Sequence, residues 1–338
     1  MQRRVGALLG AVAVIGLVVG CSSGGKETGS IDVADAVDKG AVPDPVPGVV
    51  WPLTGLPMGE AAARPALSIK IENSADSRPQ TGLEEADVVW EEMVEGGITR
   101  FNAVFHSSIP EQVGPIRSLR PMDAAISAPF GGIFVASGGQ VRFYNQIAET
   151  GLTMLTHDGG ADGFYRDSDR FAPHNLFGDP QVFLESGGDQ PPAPQFLFGD
   201  RPADATALSG TSAERIVLSF PSATPGWTWN GESYLRDEAG TVAETTDGGQ
   251  IAAVNVIVLR VDVRYTSAEG GSSVPETLLT GTGDAVVAAG GSYVEATWSK
   301  PETDSVLTLT LADGSPVLLA PGNTWVELLP HRSSFEIS

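Results

Sequence analysis

Residues 87–105 read DVVWEEMVEGGITRFNAVF. Two runs in this stretch are strand-like: Asp87 to Val94 carries Val and Trp, and Arg100 to Phe105 carries Phe and Val. β-Branched and aromatic residues favour strands, and the Gly96-Gly97 pair between the runs favours a turn. The stretch therefore predicts two strands joined by a turn, and the rest of the chain can be placed around them.

Strand and helix signals alternate on both sides of this stretch. Ala66 to Ile71 (ALSIKI) alternates apolar and polar residues, and Gly132 to Ala136 (GIFVA) has the composition of a short buried strand. Gln140 to Glu149 places apolar residues at helical spacing, namely Val141, Tyr144, Ile147 and Ala148. This alternation predicts a mixed α/β domain over residues 49–190.

Helical signals fade after a Pro-rich segment, residues 191–211, which we interpret as a linker. Residues 212–338 hold strand-like runs between Gly-rich turns, and Asp313-Gly314 is a hairpin signal. We therefore predict the α+β class, with an N-terminal mixed α/β domain followed by a smaller, mostly β C-terminal domain. The predicted strands of the second part are Arg215 to Phe220, Trp227 to Asn230, Ser233 to Arg236, Ala252 to Val263, Ser292 to Trp298, Val306 to Leu311 and Asn323 to Leu329.

The N-terminus has the pattern of a targeting segment. Arg3 and Arg4 precede an apolar run that ends in Val18-Val19-Gly20-Cys21, and this run is shorter than the roughly 20 residues of a membrane-spanning helix. Residues 1–20 therefore resemble a lipoprotein signal peptide, with Cys21, the sole cysteine, as the lipidated residue. An ordinary signal peptide with a chance cysteine is the alternative. Residues 21–48 have little to bury and are predicted to form a flexible tether.

The charge of the chain excludes some partners. The formal net charge is −22, and removal of residues 1–20 takes away two arginines and no acids, which leaves −24. So acidic a protein is a poor match for nucleic acid, which needs a basic surface. Membrane attachment should come from the acyl chains on Cys21 and not from broad adsorption to anionic lipid. The acidic excess itself is typical of a solvated surface.

Residues 114–123, GPIRSLRPMD, gather positive charge in this acidic chain. Pro115 and Pro121 keep the segment out of a continuous helix, so Arg117 and Arg120 are predicted to lie on a fixed loop before a short helix. With Arg142 and one acid, Asp123, residues 112–148 carry a local net charge of +2. A guanidinium can grip a carboxylate or phosphate through two bonds. Alternatively, the arginines pair with carboxylates nearby in sequence, such as Glu91, Glu92, Glu95 or Asp123.

A small-residue turn, Ser137-Gly138-Gly139, joins the predicted strand at 132–136 to the predicted helix at 140–149. Free N–H groups and the helix dipole would let Gly138 and Gly139 bind an anion. The same turn could expose Ser137 as a nucleophile, although the spacing is not G-x-S-x-G. A plain tight turn remains the third interpretation.

Residues 166–177, RDSDRFAPHNLF, place Arg170, His174 and Asn175 among aromatic and apolar residues. His174 could act as an acid or base, or it could be a structural histidine, and His106 has the same ambiguity. The four histidines lack zinc-site spacing, and the spacing of the local aspartates does not match a calcium loop. These aspartates are Asp158, Asp162, Asp167 and Asp169. We expect neither metal nor cofactor.

Six stretches carry a family resemblance, namely RPALSIKIENS, RPQTGLEEADVVWEEMVEGGITRF, GPIRSLRPMD, ASGGQ, APHNLF and PGNTWVELLP. They resemble the YerB-like lipoprotein family. The resemblance spans roughly residues 51–330 and is most specific in EEMVEGGITRF and GPIRSLR. It implies an α/β domain followed by a C-terminal domain in a membrane-anchored extracytoplasmic protein, and it implies no catalytic residues.

The leading hypothesis is a lipid-anchored cell-envelope protein that binds an anionic wall ligand. Its site would comprise Arg117, Arg120, Arg142, Ser137, Gly138 and Gly139, with Arg170, His174 and Asn175 on the opposite wall. One alternative is an envelope hydrolase or transferase that uses this same site. Its speculative catalytic groups are His174, His106, Glu92 and Asp123, with Ser137 as nucleophile. A third hypothesis is a scaffold that recruits a wall-synthesis protein through the C-terminal domain.

Overall fold

The computed structural model describes residues 49–59, 63–267, 271 and 273–338. The predicted signal peptide, tether and lipidation site at Cys21 lie outside these residues. Within them the strands are β1 Leu67–Glu72, β2 Val88–Met93, β3 Thr99–Phe105, β4 Ile133–Ala136, β5 Thr153–Thr156, β6 Phe164–Arg166, β7 Leu176–Gly178, β8 Leu197–Phe198, β9 Thr211–Ser212, β10 Arg215–Ser219, β11 Pro225–Trp229, β12 Tyr234–Glu238, β13 Thr241–Val242, β14 Ala252–Ala253, β15 Asn255–Ser267, β16 Ser273–Leu278, β17 Gly281–Ala289, β18 Ser292–Lys300, β19 Thr308–Thr310, β20 Leu318–Leu319, β21 Thr324–Pro330 and β22 Ser334–Ile337. The α-helices are α1 Asp123–Ser127, α2 Val141–Ala148 and α3 Pro180–Leu184.

The central feature is a mixed sheet of twelve strands with the main order β19-β18-β17-β15-β21-β2-β3-β1-β4-β5. The predicted pair in residues 87–105 is confirmed: β2 and β3 are antiparallel, and both turn glycines, Gly96 and Gly97, have positive φ. β1 then pairs antiparallel with β3 and parallel with β4, and β4 pairs parallel with β5. The carboxyl ends of β1 and β4 therefore lie next to each other.

The sheet is continuous across the predicted linker, because β21 pairs parallel with both β2 and β15. Strands from the beginning and the end of the chain thus lie side by side at its centre. The α-helices of the described residues all precede Glu185, and strands dominate after it. The predicted α+β class is confirmed, whereas the division into domains at residues 190 and 212 stays a prediction.

A second sheet, with the order β13-β12-β11-β10-β22 and with β14 beside β12, covers one face of the central sheet. Its inward side chains, among them Ile216, Leu218 and Trp227, share a core with Phe101 and Trp325 of the central sheet. The C-terminal strands are therefore joined to the predicted N-terminal part by a common hydrophobic core.

The opposite face of β1, β2 and β3 is covered by α1 and the turn that follows it. Val88, Trp90 and Val104 pack there against Ile126 and Phe130. Because both faces are covered, every residue of these three strands is buried. The polar residues of the alternating ALSIKI pattern therefore lie inside the protein and not on a solvated face.

Helix α2 confirms the predicted element but presents a different face to the core. Phe143 and Ile147 are its buried residues, whereas Val141 and Ala148 are exposed. The helical spacing of the apolar residues was predicted correctly, but the buried face was not, because Phe143 was left out of it.

None of the helices in the described ranges has the length and apolar composition needed to cross a bilayer.

Candidate anion-binding site

The 114–123 loop lies between the carboxyl ends of β1 and β4. Glu72 N–H donates to Pro115 O, and Arg117 N–H donates to Lys70 O, both at 2.9 Å. On the other side, Ser137 N–H donates to Arg117 O at 2.9 Å. The loop thus occupies a gap at the carboxyl ends of parallel strands, the edge where open α/β sheets commonly bind ligands.

The strand register brings charged side chains to the face beneath this loop. Glu72 of β1 is opposite Arg100 of β3, which is in turn opposite Glu92 of β2. Residues directly opposite on neighbouring strands point to the same side of a sheet. Two positions further along, Lys70 is opposite Asn102 on the same face. A row of acids and bases therefore lies under the loop.

Arg100 is the most deeply buried arginine of this group, at 9% exposure. Its Nη1 donates to Ser118 O at 2.9 Å, whereas its Nε has no hydrogen-bond partner within the described part of the chain. Burial, together with the charges of Arg120 and Arg117, lowers the pKa of Arg100 to about 10. The guanidinium of Arg100 therefore carries a positive charge and forms no ion pair with any of the described residues.

Arg117 and His174 meet at the carboxylate of Glu72. Arg117 Nε lies 3.1 Å from Glu72 Oε2 without the alignment of a hydrogen bond. His174 Nδ1 lies 3.0 Å from Glu72 Oε1, and Ser74 Oγ donates to the same oxygen at 2.7 Å. Arg117 is 22% exposed, so this cluster reaches the surface.

Arg120 forms the ion pair that the alternative interpretation of the loop anticipated. Its Nη2 lies 2.7 Å from a carboxylate oxygen of Glu95, and its Nη1 lies 3.4 Å from Ser118 O. Burial acts to raise the pKa of Glu95, but the charge and hydrogen bond of Arg120 outweigh it and lower that pKa. Arg120 and Arg100 share the Ser118 carbonyl, so their bound nitrogens are within about 6 Å of each other.

Hydroxyl and amide donors adjoin the three arginines. Ser118 Oγ and Ser137 Oγ are 3.2 Å apart. In the described part of the chain, the N–H groups of Gly138, Gly139 and Gln140, just before α2, donate to no protein acceptor. The carboxylate of Asp158 packs so closely against Gly138 that a Cβ there would overlap it. This donor group of Arg100, Arg117, Arg120, Ser118, Ser137 and residues 138–140 is called the arginine site below.

A buried charged group supports the arginine site from below. Lys70 Nζ pairs with Glu92 and, at 2.9 Å, with Asp123. Asp123 also accepts the backbone N–H of Arg120 at 2.6 Å and a hydrogen bond from Asn102 at 3.0 Å. Asp123 therefore holds the start of α1 and the end of the arginine loop together.

Replacing Glu92 by glutamine should remove a pH dependence of stability. Burial and the neighbouring charge of Asp123 raise the pKa of Glu92 from 4.5 to about 7. Because the folded protein holds this proton more tightly than the unfolded chain, its contribution is complete below pH 4.5 and is lost as pH rises through 7. The wild-type free energy of unfolding should fall by on the order of 3 kcal/mol more than that of Glu92→Gln across this window. Urea denaturation at pH 5 and pH 8 measures the difference, and parallel behaviour of the two proteins would contradict it.

Two of the other predicted ligand-binding residues hold the 166–177 loop in place. Arg170 donates to Ser77 O at 2.9 Å and to Pro79 O at 2.6 Å. Asn175 accepts from Arg166 at 2.8 Å and donates to Asp167 O at 3.2 Å. Their hydrogen-bonding groups are thus used within the protein, whereas His174 from the same loop reaches Glu72.

Arg142 and His106 are directed away from the arginine site. Arg142 donates to Thr266 Oγ1 at 3.1 Å and lies over Phe143. His106 follows the far end of β3, about 20 Å along the strand from Arg100. It is fully buried against Trp51, and burial lowers its pKa to about 4. Ser137 contacts Ser118 and not a histidine, so the structure pairs it with no base among the described residues.

The sequence interpretation missed Arg100, Glu72 and Lys70. Each lies in a run that its apolar residues identified as a buried strand, so the charged side chain was not considered for the site. One usable signal existed, because Lys70 and Glu72 carry opposite charges at alternate positions of one run. Side chains at alternate positions of a strand share a face.

A cavity of about 710 Å³ lies on the other side of α1, between α2 and β16. Pro121 lines it, but Arg117, Ser137 and Arg100 do not. Its charged lining is mainly acidic and includes Glu149, Glu302 and Asp304. No group of three or more metal-ligating side chains occurs in the residues that the structure describes.

Comparisons with known proteins give a consistent result. The N-terminal domain of the family described as "Protein of unknown function (DUF3048)" matches residues 53–191, and the C-terminal domain of that family matches residues 216–326. A protein of Bacillus subtilis (strain 168) named "Putative lipoprotein YerB" is 27% identical over 314 residues, which are 89% of this chain and 92% of that protein. The crystal structure of YerB from Bacillus subtilis matches with a TM-score of 0.73 at 24% identity, over 85% of this chain and 99% of that one.

Proposed function

We propose that this chain, which belongs to the DUF3048 family of YerB-like lipoproteins of unknown function, binds an anionic ligand of the cell envelope at the arginine site. The observation that carries this proposal is Arg100, which is 9% exposed, lies beside two further arginines and has an Nε without a hydrogen-bond partner among the described residues. A buried charge without a counter-ion is costly to a fold. A bound anion would provide that counter-ion.

The proposal includes a lipid anchor on Cys21 at the extracytoplasmic face of the bacterial cell membrane. It is supported by the similarity to a protein named as a lipoprotein and by the sequence Val18-Val19-Gly20-Cys21 after an apolar run. Acyl chains would then supply the membrane attachment that a chain of net charge −22 does not favour electrostatically. The arginine site would face ligands of the envelope.

Replacing Arg117 by alanine should weaken binding of the full-length protein to isolated bacterial cell-wall fragments about 10- to 100-fold. Arg117 is the most exposed arginine of the site, and hydrogen bonds to charged groups contribute about 1.5–3 kcal/mol each. Co-sedimentation with the fragments, titrated over protein concentration, measures the change.

Arg142→Ala is the matched control, because it removes the same charge from the same region while its side chain contacts Thr266 and Phe143. It should bind the fragments like the wild type. Equal loss in both variants would indicate only a general charge effect, and unchanged binding in Arg117→Ala would refute the proposal.

A further inference from the structure

We propose that the anionic group recognised at the arginine site is a phosphate, which extends and rests on the proposed function. The donors come from three separate segments: Arg100 on β3, Arg117 and Ser118 on the loop, and Ser137 with the following N–H groups before α2. A carboxylate is planar, and a single guanidinium can satisfy both of its oxygens. Donors on three neighbouring segments suit an anion with three or four oxygens.

The resident carboxylate of Glu72 supports the choice of phosphate. Glu72 is directly opposite Arg100 in the sheet, yet it pairs with Arg117 and His174. Arg100 forms no ion pair among the described residues, and its Nε has no hydrogen-bond partner there. The charges of Glu95 and Glu72 act on Arg100 only from a longer distance, and a larger, more highly charged oxyanion would reach both Arg100 and Arg117.

The turn before α2 adds backbone donors of the kind that bind phosphate. The N–H groups of Gly138, Gly139 and Gln140 have no acceptor in the described part of the chain, and they precede a helix of eight residues. Free N–H groups at a helix N-terminus favour phosphate through both hydrogen bonding and the helix dipole. Ser118 connects this turn to the arginines, because its carbonyl binds Arg100 while its hydroxyl contacts Ser137.

The negative charge of Asp158 is expected to weaken phosphate binding at the arginine site. Its carboxylate lies against Gly138, where it places a negative charge beside the free N–H groups. Asp158→Asn removes that charge with little change in shape. We therefore expect the variant to bind phosphate several-fold more tightly than the wild type.

The test compares glycerol 3-phosphate with acetate in calorimetric titrations of the full-length protein. Glycerol 3-phosphate should bind at least about tenfold more tightly than acetate. Ser137→Ala should weaken the binding of glycerol 3-phosphate about three- to tenfold, whereas Arg142→Ala should change the affinity for neither ligand. Competition then distinguishes the source: phosphatidylglycerol vesicles that displace glycerol 3-phosphate in the wild type would assign a lipid headgroup, and vesicles without effect would assign a soluble phosphoryl group.

The outcomes separate this inference from the proposed function. Acetate binding as tight as glycerol 3-phosphate binding, with both dependent on Arg117, would overturn the phosphate assignment and leave the anion site intact. Failure of both ligands and of cell-wall fragments to show any dependence on Arg117 would overturn the two proposals together. A phosphate preference lost in Ser137→Ala and strengthened in Asp158→Asn supports the assignment.

Discussion

Replacing Arg236 by alanine is expected to lower the free energy of unfolding by about 3–5 kcal/mol, the usual cost of removing one partner from a buried ion pair. The Arg236 side chain is fully buried. Its guanidinium lies 2.7 Å from Glu91, 2.8 Å from Glu238 and 3.3 Å from Glu327. Alanine would leave Glu91 and Glu327 buried without an ion-pair partner among the described residues, while Glu238 would keep Arg78 at 3.0 Å.

The aromatic surroundings of Arg236 would hinder the entry of water to solvate the carboxyl groups in the variant. Its guanidinium lies about 5 Å from the ring centres of Phe101, Trp227 and Trp325. Burial and the neighbouring charge of Glu91 already raise the pKa of Glu327. In the variant we expect Glu327 to take up a proton still more readily, so the loss should be larger at pH 8 than at pH 5.

Urea denaturation followed by circular dichroism measures the effect, and Arg264→Ala is its control. Arg264 makes two hydrogen bonds of 2.8 Å to Glu276, but its side chain is 60% exposed. Exposed ion pairs contribute about 0–1 kcal/mol. Comparable losses in the two variants would show that the buried cluster adds nothing beyond an ordinary surface pair.

The local sequence pattern was sufficient to predict the two strands within residues 87–105, but not all the strands with which they pair in the sheet. The β2–β3 pair follows from apolar runs flanking two glycines, which lie close in sequence. The pairing of Val88 with Thr324 in β21 joins residues more than 200 positions apart. No feature of either run selects the other as its neighbour, since parallel pairing is determined by the whole sheet.

Adjacent glutamates show why the charged clusters were not predictable from spacing alone. Glu91 and Glu92 both looked like local partners for the arginine loop. In the sheet they point to opposite faces, so Glu91 pairs with Arg236 and Glu92 pairs with Lys70. Arg117 and Arg120 could be predicted because prolines fix their loop. Arg100 could not, because its role depends on the register that places it beneath Ser118.

Replacing Lys70 by methionine should destabilise the protein by about 3–5 kcal/mol at pH 8, the range for breaking a buried ion pair. Lys70 is fully buried between Glu92 and Asp123, and methionine keeps the length of the side chain but removes its charge. At pH 5 the loss should be smaller, because burial raises the pKa of Glu92 to about 7 and this carboxyl group is then protonated.

The double variant Lys70→Met/Glu92→Gln tests the cause of that loss. If uncompensated charge is responsible, the second substitution should recover much of the stability at pH 8 and little at pH 5, where Glu92 is already neutral. Residues that share one charged network show such non-additive effects. Equal recovery at both pH values, measured by urea denaturation, would assign the loss to packing around Lys70 instead. Asp123 also accepts a hydrogen bond from the backbone N–H of Arg120. Because Lys70→Met removes the cation that pairs with Asp123, this variant should additionally weaken phosphate binding at the arginine site.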